Sequence, residues 1–278
     1  MKTVAQAQIP LLQLLKELSP DSSNNTLRSW IEKGRVLVAG KVADRANQAV
    51  LAGQEVSVGP RVQFAPSDIK ILFNDEHLVV LEKPPGLLSV ATDFQQEHTV
   101  HTILKRQKRP GRVFPVHRLD RETSGVMIFA YSEEARDHLK EQFEKRMIEK
   151  IYIAIVEGQM KSHKGTWESF LEEDERYFVA STPSENRGKL AITFYEMIAQ
   201  NSRYTSLRLK LQTGRKNQLR VHCSEAGFPI VGDKKYSARS NPLKRLCLHS
   251  HQISFTHPNL GKRMHFESPV PADFSHLI

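Results

Sequence analysis

From Pro10 onward, apolar residues fall at Leu11, Leu14, Leu15 and Leu18, the spacing of a helix with one buried face. Ser19-Pro20-Asp21 breaks that helix. A second helix is expected from about Ser23 to Lys33, with Gly34 as its C-cap. Arg35 to Val38 and Gln54 to Val58 read as short strands, with a turn at Gly40 after the first and at Gly53 before the second. Residues 1–58 are therefore expected to form a small unit. Residues 59–67, with Pro60 and Pro66, read as a linker.

Residues 68–278 have a different pattern. Ile71-Leu72-Phe73 and Leu78-Val79-Val80-Leu81 flank Asn74-Asp75-Glu76, as in a hairpin. Gly125 to Tyr131 reads as a buried strand. Ser132 is placed to cap a helix with Glu133 and Glu134 in its first turn, and Ala135, Leu139, Phe143 and Met147 recur along it. Ile151 to Val156 and Leu207 to Leu211 read as further strands, and Gln218 to Ala226 as a short helix ended by Gly227. Strands and helices without strict alternation predict an α+β fold with a mixed or antiparallel sheet.

Composition narrows the class. The 39% hydrophobic content is enough for a sizeable core, and no apolar run approaches the roughly 20 residues of a membrane helix. Two cysteines, Cys223 and Cys247, are too few for a disulfide framework or a four-cysteine zinc site, so reduced thiols in the cytoplasm are expected. Forty Lys and Arg against 31 Asp and Glu leave a charge of +9. The excess is clustered: Lys105, Arg106, Lys108, Arg109, Arg112 and Arg118 lie in a stretch without an acidic residue, and Lys234, Lys235, Arg239, Lys244 and Arg245 form another. Clustered positive charge points to a nucleic acid partner. His98-Thr99-Val100-His101 and His249-Ser250-His251 lack the carboxylate or cysteine spacing of a metal site, and no metal is expected.

Four segments carry the chemistry: Glu82-Lys83-Pro84-Pro85-Gly86-Leu87-Leu88-Ser89-Val90, then Val116-His117-Arg118-Leu119-Asp120-Arg121-Glu122-Thr123-Ser124-Gly125, then Lys150-Ile151-Tyr152-Ile153-Ala154-Ile155-Val156-Glu157-Gly158, and last Thr213-Gly214-Arg215-Lys216-Asn217-Gln218-Leu219-Arg220-Val221-His222 with Gly232-Asp233. In that order they resemble the RluA family of RNA pseudouridine synthases. The usual residue at position 217 in that family is His, and here it is Asn. Leu27 to Val36, Val38-Ala39-Gly40-Lys41 and Ala52-Gly53-Gln54 resemble the small RNA-binding domain named after ribosomal protein S-four.

The resemblance implies a catalytic set of Asp120, Tyr152 and Arg220. Asp120 would be the nucleophile at the anomeric carbon, Arg220 would keep it ionised, and Tyr152 would pack on the target base and take a proton from the sugar. Arg118, which would help displace the target base, together with Leu119, Thr123 and Leu219 would form the substrate site. Arg28, Lys33, Arg35 and Lys41 of the first unit, with Arg112, Arg215, Lys216 and Asn217 of the second, would contact RNA. Isomerising uridine conserves its atoms, so neither cofactor nor metal is required. A carboxylate beside the anomeric carbon suits the step, as in retaining glycosidases. Two other classes fit less well: an RNA-binding factor built on an inactive synthase, which the intact catalytic set disfavours, and a nucleoside or glycoside hydrolase, which needs a second carboxylate in a suitable context. A monomer acting on RNA is expected, with ribosomal RNA ahead of tRNA.

Overall fold

The structure, a computed structural model, describes residues 1–32, 35–43, 45–59, 69–91, 98–107 and 111–278. Its backbone divides into Met1–Gln63 and Phe64–Ile278. In the first unit, β1 (Lys2–Val4) and β2 (Ile9–Pro10) precede α1 (Leu11–Leu18) and α2 (Asn24–Glu32), followed by β3 (Val36–Val38), β4 (Lys41–Val42), β5 (Ala49–Val50) and β6 (Glu55–Val58). The order β1-β6-β3-β4 forms one small sheet, and β2 pairs with β5. Leu11, Leu14 and Leu15 of α1 are buried with Leu27 and Ile31 of α2 against Val36, Val38 and Val56, so α1 packs by the face its spacing predicts and α2 joins the same core.

The second unit contains β7 (Lys70–Asn74), β8 (Leu78–Lys83), α3 (Val100–Gln107), β9 (Phe114–Pro115), β10 (Ser124–Ala130), α4 (Glu133–Glu144), β11 (Glu149–Glu157), β12 (Lys164–Glu173), β13 (Val179–Thr182), β14 (Lys189–Gln200), β15 (Tyr204–Leu211), α5 (Gln218–Glu225), β16 (Leu248–Thr256), β17 (Arg263–Glu267) and α6 (Ala272–Ser275). Among the described residues the strands form one sheet in the order β13-β12-β14-β15-β11-β16-β10-β8-β7, with β17 on β16 and β9 on β10. The β10–β16 pairing is parallel and the other pairings described in this sheet are antiparallel, which makes the fold a mixed-sheet α+β fold.

β10 is buried at every position because both its faces are covered. Met127 and Phe129 face the larger core, while Val126, Ile128 and Ala130 face α4 with Ala135 and Leu139. The helix starts where expected: Ser132 Oγ accepts from Ala135 N at 3.1 Å. It ends earlier than the apolar recurrence predicts. Arg146 takes a left-handed φ of 58°, and Met147 lies beyond the helix at 51% exposure, while Ile148 fills the buried position. The inward residue in the last turn is polar: Gln142 donates to Thr256 O at 2.7 Å and accepts from Thr256 N at 2.8 Å, tying α4 to the end of β16.

The sheet is parted at its centre. β10 and β16 pair only at Ser124↔His249 and Gly125↔Ser250. Farther along the same edge of β10, Ile128 N donates to His117 Nε2 at 3.1 Å, and β9 pairs with Phe129 and Ala130. His117 stands in this opening, and residues 118–123 lead from it back to the paired start of β10. Gly125 makes the junction possible: its φ is +111°, and a Cβ there would stand 2.1 Å from Ser250 O.

Candidate active site

Asp120 sits on the loop between β9 and β10, and both its neighbours are pinned. Ser89 Oγ donates to Leu119 O at 2.8 Å and accepts from Leu119 N at 3.0 Å. Lys83 Nζ donates to Arg121 O at 2.9 Å, and to Pro84 O and Leu87 O at 2.8 Å each. Gly86 N adds a 2.9 Å bond to Arg121 O, and Arg121 Nε returns a 3.1 Å bond to Gly86 O. Thr123 N closes the turn on Asp120 O at 3.1 Å. The segment from Lys83 to Ser89 therefore holds the Asp120 backbone. Burial of Lys83 pulls its pKa down to about 7, with Glu122 and Asp120 opposing that fall.

Arg220 reaches Asp120 from α5. Its Nη1 reaches Asp120 Oδ2 at 3.4 Å, half an ångström longer than a tight charge-assisted bond of about 2.7–2.9 Å. The reason is a second carboxylate. Arg220 Nε and Nη2 donate to Asp233 Oδ2 and Oδ1 at 2.7 Å each, and the Asp233 side chain is fully buried. Burial opposes the Arg220 charge, but Asp233 and then Asp120 hold its pKa above the ordinary arginine value. The guanidinium lies 5.0 Å over the Tyr236 ring. Sequence reasoning missed Asp233 as a partner; its only trace was Gly232-Asp233 after the fourth segment.

Tyr152 lies on β11 opposite Ser250. Burial raises its phenol to about 12, a hydrogen bond with the Ser250 side chain opposes this, and the charge of Asp120 adds to it. The phenol is therefore neutral near pH 7. The ring is 7% exposed and packs in the core that includes Leu119 and Leu219. Thus Asp120, Arg220 and Tyr152 converge, and the expected substrate residues Leu119, Thr123 and Leu219 are buried around them, while Arg118 is exposed.

The expected RNA contacts divide. Arg215 and Lys216 are exposed on the turn before α5; Arg215 Nε donates to Leu190 O at 2.9 Å, and Lys216 pairs with Glu173. Asn217 turns inward: its Nδ2 donates to Tyr236 Oη at 3.0 Å, and its Oδ1 accepts from Arg220 Nη1 at 3.4 Å. Its φ of 53° is left-handed, a conformation asparagine tolerates. Arg112 is exposed and bonds Glu133 at 3.1 Å. In the first unit Arg28 is exposed, and Arg35 stacks over Trp30 at 5.0 Å and donates to Gly59 O at 3.0 Å. Lys41 belongs to β4, and Lys33 lies outside the described residues, as do Lys108 and Arg109 of the basic stretch.

Among the described residues no three His, Cys, Asp or Glu side chains cluster as metal ligands, and no helix is long and apolar enough to cross a membrane. His249 instead meets Ser124 Oγ at 2.9 Å, and His101 meets Val113 O at 2.7 Å.

Both units of the chain match known protein families. The family profile described as RNA pseudouridylate synthase matches residues 77–225, and that of the S4 domain matches residues 9–56. The ribosomal large subunit pseudouridine synthase D of Escherichia coli (strain K12) is 33% identical over 99% of this chain and 92% of its own length. Its Pseudomonas aeruginosa namesake is 32% identical over 96% of this chain and 90% of its own. Among solved structures, human RNA Pseudouridylate Synthase Domain Containing 4 superposes with a TM-score of 0.63 at 25% identity, covering 74% of this chain and 90% of that one.

Proposed function

The chain belongs to the RNA pseudouridylate synthase family and carries an S4 domain, and from that premise we propose that it isomerises uridines of large-subunit ribosomal RNA with Asp120 as nucleophile. It is an isomerase that acts on RNA. The choice of ribosomal RNA rests on relatives named for it that align over nearly the whole chain. The observation that carries the mechanism is the meeting of Asp120 with Arg220, a hundred residues apart in sequence.

The Asp120 carboxylate attacks C1′ as the bond from C1′ to uracil N1 breaks and its electron pair leaves with the base. The base turns, C5 attacks C1′, and the carboxylate departs. C5 then loses its proton and N1 gains one, so the atoms balance without a redox partner. The attacking group must be ionised in a site that sheds water. Arg220, itself anchored by Asp233, supplies the favourable charge. Asp120 keeps 28% side-chain exposure, so a nucleotide can reach it. A uridine must leave its stack to be reached, and Arg118, exposed two residues before Asp120, is the residue that would help displace it. The neutral phenol of Tyr152 is ill suited to deprotonating the sugar.

Mapping of pseudouridines in ribosomal RNA and tRNA from cells with and without the gene tests the substrate. Loss of pseudouridine confined to large-subunit ribosomal RNA is expected. Loss confined to tRNA would overturn the choice of RNA and leave the family assignment standing.

A further inference from the structure

Lys150 stands on β11 two residues before Tyr152, so strand alternation puts both side chains on the same face. Its ammonium is held in a narrow place. Nζ is 5.4 Å from the Phe143 ring centre, and a Cβ on Gly214 would come within 3.0 Å of it. Its charge acts on His117, whose pKa burial takes down to about 3 with Lys150 adding to the fall. Lys150 therefore lies between the segment that leads to Asp120, three residues beyond His117, and the turn that leads to Arg220, six residues beyond Gly214.

Among the described residues the Lys150 side chain makes no hydrogen bond or ion pair. Burial lowers its pKa to about 8, and no carboxylate opposes that fall. The neighbouring acid, Glu149, is engaged with Lys210. A desolvated cation without a counter-charge is costly unless something else supplies the charge. The cost is easily avoided in evolution, since a methionine would fill the same space. In an enzyme whose substrate is RNA, the anion that enters beside the target base is a phosphodiester.

We propose that the Lys150 ammonium, seated against Gly214, binds a phosphodiester oxygen of the RNA strand next to the target uridine. The placement rests on the reading of the Asp120 loop as the catalytic loop. Gly214 fits the site because it lacks a side chain that would push the ammonium aside. Lys150 is a binding residue that orients the strand, and it has no role in the bond changes at C1′.

The test compares wild type, Lys150→Met, Lys150→Arg and Gly214→Ala for equilibrium binding to large-subunit ribosomal RNA transcribed without modification, across a salt series. Binding is read apart from turnover, so RNA that is bound but not modified still tests Lys150. Absence of pseudouridine with wild type would count against the ribosomal RNA substrate alone. Lys150→Met is expected to lower the slope of log affinity against log salt by about 0.7–0.9, the share of one phosphate contact. Its thermal midpoint is expected at or above wild type, because a desolvated charge has been removed. Lys150→Arg should keep the slope. Gly214→Ala should weaken binding with Lys150 still present. An unchanged slope in Lys150→Met, with the fold intact by its thermal midpoint, would overturn the proposal, as would a slope lost equally in Lys150→Arg.

Discussion

Arg220 gives two hydrogen bonds of 2.7 Å to Asp233 and a single one of 3.4 Å to Asp120. The arginine is thus anchored by one carboxylate and presented to another. The anchor is rigid because Asp233 is fully buried and also accepts from Tyr236 N at 3.3 Å.

Asp233→Asn should therefore impair catalysis through Arg220. The amide keeps the volume of the carboxylate but offers a donor where Arg220 needs an acceptor, so the guanidinium loses its fixed direction. Misplacement of about 1 Å in such a group costs up to roughly 100-fold in rate. Single-turnover kinetics should show kcat falling by about that factor with RNA affinity nearly unchanged. A variant that loses affinity and keeps its rate would show that Asp233 serves RNA binding instead.

Gly125→Ala should break the junction that positions the catalytic loop. The added methyl meets Ser250 O at 2.1 Å, and φ of +111° is hostile to any side chain. Backbone would have to move on both strands, so a loss of about 3–5 kcal/mol or failure to fold is expected in urea denaturation. Near-wild-type stability would mean that β10 and β16 separate easily.

Acid should weaken the fold beginning near neutrality. Burial depresses the pKa of His117 to about 3 and those of His222 and His249 to about 4. The unfolded chain binds these protons at about pH 6.5 and the folded chain refuses them, so their contribution is full above that pH and is lost as pH falls toward 4. Each histidine accounts for on the order of 3 kcal/mol across that window. The urea midpoint should fall between pH 7 and pH 5; a flat midpoint would show that these rings are not buried as neutral groups.

Local chemistry made some elements easy to read. The apolar run of β10, the Ser132 cap of α4 and the leucine spacing of α1 each depend on neighbours within a few residues. Other elements were hidden. β12 and β14 have one face that is largely open, so their sequences mix Lys, Glu and Thr with aromatic residues and show no clean alternation. α3 was read only as part of a basic stretch, because Lys105 and Arg106 mask the buried trio Val100, Ile103 and Leu104. Met147 continued a helical recurrence past the point where Arg146 leaves the helix. In the site, Asp120, Arg220 and Tyr152 were legible through motifs. The hold of Asp233 on Arg220, the grip of Ser89 on Leu119 and the seat of the Lys150 ammonium between Phe143 and Gly214 arise only when distant segments meet.

The first unit should supply phosphate contacts and leave the chemistry untouched. Arg28 is exposed on α2, and the unit has its own apolar core. Deleting residues 1–58 should weaken RNA binding and reduce its salt slope by about 0.7–0.9 per lost contact. An unchanged affinity and slope would make the unit a structural cap.

The most direct measurement is mass-spectrometric quantification of pseudouridine in unmodified large-subunit ribosomal RNA after incubation with wild type or Asp120→Asn. The amide keeps the shape of Asp120 while removing the nucleophile. Pseudouridine is expected from wild type and none from Asp120→Asn, with RNA affinity retained. Appreciable pseudouridine from the pure variant would contradict Asp120 as the nucleophile.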